Sequence, residues 1–182
     1  MRAKSGKMKL KKLNLGCGKK FKEGFINIDF EDFSHVGNNF MQLDLEKPLP
    51  FKNNSIDEVY CESCLEHIFN LYQLIDEIYR VCKPNAKITF IVPHFSNNTS
   101  EFHIRPFRYN MFRDYCKDYK KAMFDRKYFY QVKRKITFKS VYSFMNVINI
   151  HPFFIKLYEY SFLRSLFFAH AIIFEAKIYK EK

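Results

Sequence analysis

Two apolar runs joined by a glycine turn constrain the fold of this chain more than any other feature. The first run, LNLGCG at 13–18, ends in Gly16-Cys17-Gly18, and the second, FINIDF at 25–30, carries an acid at Asp29. A strand, a tight turn, a short crossover and a second strand are typical of the first unit of a mostly parallel sheet. Because ligands bind at the carboxyl ends of such strands, the pattern predicts a site for a nucleotide-like molecule.

The remaining pattern predicts an α/β fold. We expect strands at 9–15, 25–30, 39–44, 56–61 and 87–93, with a short helical turn near 19–24. The apolar spacing of 64–82 predicts a helix with one buried face, and Asn85 suits the left-handed conformation in the turn that follows. Beyond Pro93 we expect a helix near 107–121, a strand at 130–138, an amphipathic helix at 152–168 and a last strand at 171–179.

The net charge of +12 is unevenly distributed along the chain. Residues 1–22 carry nine Lys or Arg and no acid, residues 23–90 have a net charge of −7, and residues 91–182 have a net charge of +10. The last segment also holds 23 of the 34 Phe and Tyr residues, which indicates a surface that meets an anionic, partly apolar partner.

Several classes of protein are disfavoured by composition. The sequence has no signal-peptide pattern, and it has no apolar run of the roughly 18 residues that a transmembrane helix needs. Its five cysteines are scattered without a disulfide framework, which predicts a reducing cytoplasm. Peripheral contact with the inner face of a membrane is a minority alternative, based on the aromatic segment at 151–170.

The glycine turn does not match the two familiar phosphate-binding patterns. A dinucleotide site would have a third glycine where Phe21 stands, and its ribose-binding acid would lie about 20 residues downstream. A Walker loop needs Ser or Thr after Gly-Lys, but Gly18-Lys19 is followed by Lys20. The expected ligand is therefore nucleoside-like and need not carry a phosphate.

The chain resembles the class I S-adenosylmethionine-dependent methyltransferases, type 11-like, in six motifs that follow the family's order. They are LNLGCG (13–18), INID (26–29), QLDL (42–45), LPFKNNSIDEVY (49–60), LEHI (65–68) and EIYRVCKPNAKITFIVP (77–93). The segment PHFSNNTSEFHIRPF (93–107) further resembles small methyltransferase-like proteins associated with surface-polysaccharide synthesis.

The resemblance implies a Rossmann-like, mostly parallel seven-stranded sheet with the last strand antiparallel and helices on both faces. The sequence contains no linker, so we expect one domain over 1–182, with a cofactor-binding half at 10–95 and an acceptor-side half at 96–182. Carried over by position, the cofactor-binding residues for S-adenosyl-L-methionine are Asn14, Gly16, Cys17 and Gly18 at the methionine portion, Asp29 at the ribose, Asp44 and Leu45 at the adenine, and Cys61 and Glu62 beside the sulfonium. The family usually has an acid in place of Asn14 and often a glycine in place of Lys20.

The acceptor side contains the candidate catalytic residues. His94 follows the fifth strand and His103 lies in the next loop, so either histidine is a candidate base or acceptor contact. Arg105 and Arg108 could bind an anionic group of the substrate, although a solvated basic loop is nearly as well supported.

Three further residues have open interpretations. Cys61-x-x-Cys64 followed by His67 suggests zinc, but no fourth ligand lies nearby, so we expect no metal site there. Packing and a cofactor contact are equally compatible with His67, and Glu66 fits a capping box with Ser63.

The leading functional hypothesis is methyl transfer to a small, anionic acceptor such as a saccharide hydroxyl, either free or lipid-linked. One alternative keeps the cofactor and makes RNA the acceptor, because a basic aromatic surface can follow phosphates and stack bases. Another is a non-catalytic S-adenosylmethionine-binding protein with the same fold. The oligomeric state is not indicated by the sequence.

Overall fold

The computed structural model describes residues 10–97, 102–117, 127–138, 157–158 and 169–180. Within these residues the chain forms seven strands and one helix of several turns. The strands are β1 (Lys12–Leu15), β2 (Ile26–Asp29), β3 (Phe40–Gln42), β4 (Ile56–Glu62), β5 (Cys82–Pro93), β6 (Phe129–Phe138) and β7 (Ala169–Ile178), and the helix is α1 (Leu71–Val81).

All seven strands belong to one sheet in the order β3-β2-β1-β4-β5-β7-β6. Strands β1 to β5 pair in parallel, whereas β7 pairs antiparallel with both β5 and β6. The expected seven-stranded sheet with an antiparallel last strand is therefore confirmed. The chain reverses its direction of travel across the sheet between β1 and β4, which is the place where such sheets bind ligands.

The register aligns the residues of the expected site. Leu15 pairs with Ile28 on one side and with Cys61 on the other, so β1, β2 and β4 end at the same level. Gly16, Asp29 and Glu62, each one position further along, therefore lie at one edge of the sheet.

The core consists of apolar residues on the central strands and the inner face of α1. Leu13, Leu15, Ile88 and Phe90 have no exposed surface, as required of parallel strands that are covered on both faces. At the β7 side, the rings of Phe90 and Phe174 stack with their centroids 6.0 Å apart.

The helix predicted at 64–82 begins later than expected. Residues Leu65–His67 form a single 3-10 turn, and α1 starts at Leu71 after Asn70, whose side chain accepts a hydrogen bond from the Gln73 N–H at 3.2 Å. The buried face of α1 and the left-handed Asn85 (φ +66°) agree with the sequence predictions.

The helical turn expected near 19–24 does not form. Residues 16–25 connect β1 to β2 through hydrogen-bonded turns only. The ring of Phe21 stacks on that of Phe40, with the centroids 5.8 Å apart. This aromatic pair packs the connection against β3 in the absence of a crossover helix.

The helix predicted near 107–121 is also absent from the part that the structure describes, 107–117. Phe107, Met111 and Tyr115 are buried at a four-residue spacing, but the backbone follows turns that include a single 3-10 turn at Arg113–Tyr115, and Phe112 is left-handed at φ +54°. The predicted last two strands are confirmed. The helix predicted at 152–168 lies outside the described residues except for Leu157 and Tyr158, which are helical.

Within the described ranges, no helix has both the length and the apolar character needed to cross a bilayer.

Candidate functional site: an acidic cavity beside a glycine turn

The glycine turn after β1 has a backbone shape that requires glycine at its first position. Gly16 has φ +63°, and a Cβ atom there would lie 2.4 Å from both Cβ and Sγ of Cys64. The Gly18 N–H donates to Asp29 Oδ2 at 2.7 Å, and the Cys17 N–H donates to the Ile28 carbonyl at 2.9 Å. The acid at the end of β2 therefore holds the turn in place.

Cys17 contributes its backbone to the turn, because its side chain is buried. Burial, with the nearby Asp29 carboxylate, raises the pKa of the Cys17 thiol to about 11. The thiol therefore remains protonated at neutral pH and is a poor nucleophile.

Asn14, which stands where the family usually has an acid, has a structural role. Its buried side-chain amide donates to the Lys20 carbonyl at 3.0 Å and to Asn27 Oδ1 at 2.8 Å. Asn27 Oδ1 also accepts from the Lys22 N–H at 2.8 Å. A carboxylate at position 14 could not donate these bonds, so the amide suits a connection that has no helix.

A cavity of about 620 Å³ opens beside the turn, within the range typical of small-molecule sites. It brings together Gly16, Asp29, Asp44 and Leu45, four residues that the family resemblance assigned to the cofactor. The described residues that line it are Gly16, Asp29, Phe30, Glu31, Asp44, Leu45, Glu46, Ser63, Cys64, His67, Ile68 and Phe69.

The cavity is acidic. Asp29, Glu31, Asp44 and Glu46 line it, and no Lys or Arg is among its described lining residues. A low-dielectric cleft lined by one sign of charge concentrates ligands of the opposite sign. The cavity therefore disfavours a pyrophosphate nucleotide and suits a nucleoside that carries a positive charge.

Asp29 retains the capacity to bind a ligand. Its Oδ2 atom accepts from Gly18, and its Oδ1 atom accepts from the Glu31 N–H at 3.2 Å. A carboxylate offers about four acceptor positions, so two remain for the hydroxyls of a ribose.

A smaller pocket of about 160 Å³ lies on the other side of Gly16. Lys20 Nζ and Glu62 Oε1 form an ion pair there at 2.8 Å, and the Tyr60 hydroxyl also donates to Glu62. The bond from Lys20 and then that from Tyr60 lower the pKa of the Glu62 carboxyl. The pocket thus presents a cation and an anion side by side, which matches the charges of an α-amino acid.

The two residues expected at the end of β4 separate in the structure. Glu62 lines the smaller pocket, but Cys61 has no exposed surface. A hydrogen bond with Cys64 and burial raise the pKa of the Cys61 thiol. Ser63 and Cys64 line the main cavity instead.

The loop after β4 is anchored by an acid from the preceding loop. Glu46 accepts from the Phe69 N–H at 2.6 Å and the Asn70 N–H at 3.0 Å. Ser63 has φ +52° and its N–H donates to the Ile91 carbonyl at 2.8 Å, so the capping box expected with Glu66 does not form.

Glu66 is instead a buried acid, with 1% of its surface exposed. Burial raises the pKa of its carboxyl.

The two candidate catalytic histidines occupy different environments. His94 has no exposed surface, and its Nδ1 atom accepts from the Ser96 N–H at 3.2 Å. This burial favours a packing role. His103 is half-buried and its ring lies 5.2 Å from that of His67. Burial and the nearby His67 lower the pKa of the His103 imidazole.

The two candidate substrate arginines line a second cavity of about 460 Å³ between α1 and residues 105–115. The Arg105 guanidinium donates to the Ile68 and Phe69 carbonyls at 3.1 and 2.9 Å, so it anchors the loop after β4. The Arg108 guanidinium lies 4.8 Å from the centre of the Phe95 ring.

Sequence reasoning missed two aromatic residues of the main cavity, Phe30 and Phe69, which are 69% and 77% exposed. Phe30 directly follows Asp29 at the end of β2. A large aromatic side chain next to a strand-terminal acid is a signal that could have identified it.

Together, the strand order, the glycine turn and the acidic cavity define the class I methyltransferase fold. Residues 13–90 match the family model described as a methyltransferase domain. No sequence among the curated proteins matches the chain.

Solved structures show the same fold. A SAM-dependent methyltransferase from Archaeoglobus fulgidus has a TM-score of 0.65 and 18% identity, over 92% of this chain and 86% of that one. YcgJ from Bacillus subtilis has a TM-score of 0.59 and 16% identity, over 96% and 93%.

Phosphoethanolamine N-methyltransferase 2 from Haemonchus contortus, in complex with S-adenosyl-L-methionine, has a TM-score of 0.59 and 16% identity, over 97% of this chain and 50% of that one. The present chain therefore spans about half the length of that enzyme. These structures share at most 18% identity with the chain, and they establish its fold as that of the S-adenosylmethionine-dependent methyltransferases.

Proposed function

We propose that this chain transfers a methyl group from S-adenosyl-L-methionine to a small, anionic acceptor such as a saccharide hydroxyl. The observation that carries the proposal is the acidic cavity beside the Gly16 turn, which contains two exposed aromatic side chains and four carboxylates, one of them the ribose acceptor Asp29. S-adenosylmethionine supplies an activated methyl group, and the protein has to align the two reactants and exclude water.

Each part of the cofactor has a complementary group in this chain. Asp29 binds the ribose hydroxyls, Asp44 accepts from the adenine amine, and Leu45 and Phe30 flank the ring. The carboxylate of the methionine portion pairs with Lys20 and its ammonium group with Glu62, so the ligand replaces their ion pair. The acidic cavity favours the positively charged sulfonium over the neutral thioether that remains after transfer.

The acceptor assignment is supported by charge. Residues 91–182 have a net charge of +10, and Arg105 and Arg108 line the second cavity. His94 is enclosed, so we propose that His103 is the histidine that faces the acceptor. It lies beside His67, which lines the main cavity. RNA remains the alternative acceptor because the same charge would attract phosphates.

Calorimetric titration with S-adenosylhomocysteine tests cofactor binding. Native protein is expected to bind it, Asp29→Ala is expected to lose binding, and Asp32→Ala is the matched control because that exposed acid does not line the cavity. ATP is expected not to bind because its phosphates would face the four carboxylates. Equal binding of S-adenosylhomocysteine by both variants would refute the ribose assignment.

Methyl transfer is tested with methyl-labelled S-adenosylmethionine and cell extract fractionated into small molecules, lipid-linked saccharides and RNA. Label in an anionic saccharide fraction is the expected result. Label in RNA, with binding that weakens steeply in salt, would favour the alternative acceptor. Cofactor binding without labelling of any fraction would indicate a non-catalytic binding protein.

A further inference from the structure

Glu66, His67 and His103 form a cluster at the wall of the acidic cavity. Among the described residues, one ligand atom from each of these three side chains lies within 4.8 Å of the other two. His67 also lines the main cavity. The cluster joins two segments that are far apart in the sequence, the 3-10 turn after β4 and the loop after β5.

Two hydrogen bonds fix His103 against the 3-10 turn. The Ile104 N–H donates to the Glu66 carbonyl at 2.9 Å, and His67 Nδ1 lies 3.1 Å from the Phe102 carbonyl oxygen. These bonds involve the residues on either side of His103. The position of its ring beside His67 is therefore determined by the backbone.

The Glu66 carboxylate is the least expected member of the cluster. Only 1% of the residue is exposed, and its Oε2 atom makes no hydrogen bond with the described residues. The carboxylate has a hydrogen bond with the backbone N–H of Glu66 itself, whereas the Oε2 atom is a buried acceptor without a donor among the described residues. A buried polar atom of this kind is costly, and a bound cation would offset that cost.

The contact between His67 and Phe102 has the geometry found around metal ligands. When Nδ1–H donates to the Phe102 carbonyl, the lone pair lies on Nε2, and a metal-ligating histidine usually donates its other ring N–H in this way. The four carboxylates of the adjoining cavity would further attract a cation.

We infer that Glu66, His67 and His103 bind a divalent transition-metal ion, with an open coordination position for an oxygen of the acceptor. Two imidazoles and one carboxylate are ligands that zinc accepts, whereas Mg²⁺ and Ca²⁺ prefer oxygen ligands. Three protein ligands leave a position for water or substrate. The site must contract when it binds the ion, because tetrahedral ligands about 2.1 Å from one ion lie about 3.4 Å apart, whereas the three ligand atoms lie within 4.8 Å of one another.

The role of this ion rests on the proposed function, but its binding does not. A bound metal lowers the pKa of an oxygen ligand, so the acceptor hydroxyl could release its proton to solvent without a general base. Its oxygen would then form the bond to the methyl carbon, and the carbon–sulfur bond would break with its electron pair on the sulfur. The ion would thus supply the activation that the enclosed His94 cannot.

Calorimetric titration of the chelator-treated full chain with zinc chloride tests the site. One zinc per chain is expected, and Glu66→Gln, His67→Ala and His103→Ala are each expected to weaken binding at least about tenfold. His35→Ala is the matched control, because this exposed histidine lies outside the cluster. His67 is exposed, so its replacement should leave folding intact.

The rival zinc site uses Cys61 and Cys64. We expect Cys61→Ser to bind zinc like the native chain, and we expect the Co²⁺-loaded protein to lack sulfur-to-metal charge-transfer absorption. Loss of zinc in Cys61→Ser, absence of zinc binding by the native chain, or native affinity in His67→Ala and His103→Ala would overturn the inference.

Titration with S-adenosylhomocysteine separates this inference from the proposed function. Zinc bound by a chain that does not bind S-adenosylhomocysteine would refute the methyltransferase proposal and leave the metal site standing. A chain that binds S-adenosylhomocysteine but not zinc would refute the metal site and leave the methyltransferase proposal standing.

Discussion

Substitution of Gly16 by alanine is the sharpest test of the turn on which the site depends. The new Cβ would lie 2.4 Å from Cβ and Sγ of Cys64, at a residue with φ +63°. The left-handed backbone costs about 1 to 2 kcal/mol for alanine, and the overlap adds about 1 to 3 kcal/mol. We therefore expect Gly16→Ala to lower the free energy of unfolding by about 2 to 5 kcal/mol.

Gly18 provides a matched control within the same turn. It has φ +47°, but a Cβ there would meet nothing within 4 Å. Gly18→Ala should therefore pay the backbone cost alone, about 1 to 2 kcal/mol.

The free energy of unfolding in urea is measured for the native chain, Gly16→Ala, Cys64→Gly and the double variant Gly16→Ala/Cys64→Gly. These four proteins form a double-mutant cycle. Because Cys64→Gly removes both clashing atoms, we expect a coupling energy of about 1 to 3 kcal/mol that favours the double variant. Equal destabilisation by Gly16→Ala and Gly18→Ala, together with zero coupling, would refute the close approach between the turn and Cys64.

Three further predictions concern single polar residues. Asn14→Asp should lower the free energy of unfolding by about 1 to 3 kcal/mol, because a buried carboxylate cannot donate the amide's two hydrogen bonds; unchanged urea unfolding would contradict this. Hydrogen bonds from Arg80 lower the pKa of the Glu77 carboxyl, so its stabilisation is present above the unfolded pKa and lost as the pH falls towards the folded value. Glu77→Gln should therefore be less stable than the native chain at pH 7, and the difference should shrink below about pH 4; a constant difference would show that the charge is unimportant. Lys20→Met should change stability by less than about 0.5 kcal/mol, since an exposed ion pair contributes little, yet weaken S-adenosylhomocysteine binding in calorimetry; native affinity would remove Lys20 from the site.

The central strands and the glycine turn could be predicted from the sequence because their signals are local. A continuous apolar run such as KITFIVP is compatible with few structures other than a buried strand. Gly16 and the left-handed Asn85 mark backbone conformations that most residues avoid.

The helix errors arose where distant contacts replaced local preference. The start of α1 is determined by Asn70 together with Glu46. Glu46 lies outside 64–82, so the apolar spacing of that segment contains no information about it. In 107–117 the helix prediction was wrong, although Phe107, Met111 and Tyr115, four residues apart, are all buried. A four-residue spacing of buried side chains is therefore compatible with successive turns as well as with a helix.

The candidate site also contains features that local sequence patterns predicted and features that depend on distant contacts. Gly16 and Asp29 lie at strand ends, and Asp44 and Leu45 lie two and three residues after β3. Their meeting at one cavity therefore follows from the strand order that local patterns predict. Other features of the site depend on how loops from separate strands pack. They are the pairing of His67 with His103, the burial of His94 and Glu66, and the hydrogen bonds from Arg105 to two carbonyls. Backbone preference acts within a few residues, whereas distances between remote segments are set by packing, and only the tertiary structure decided those.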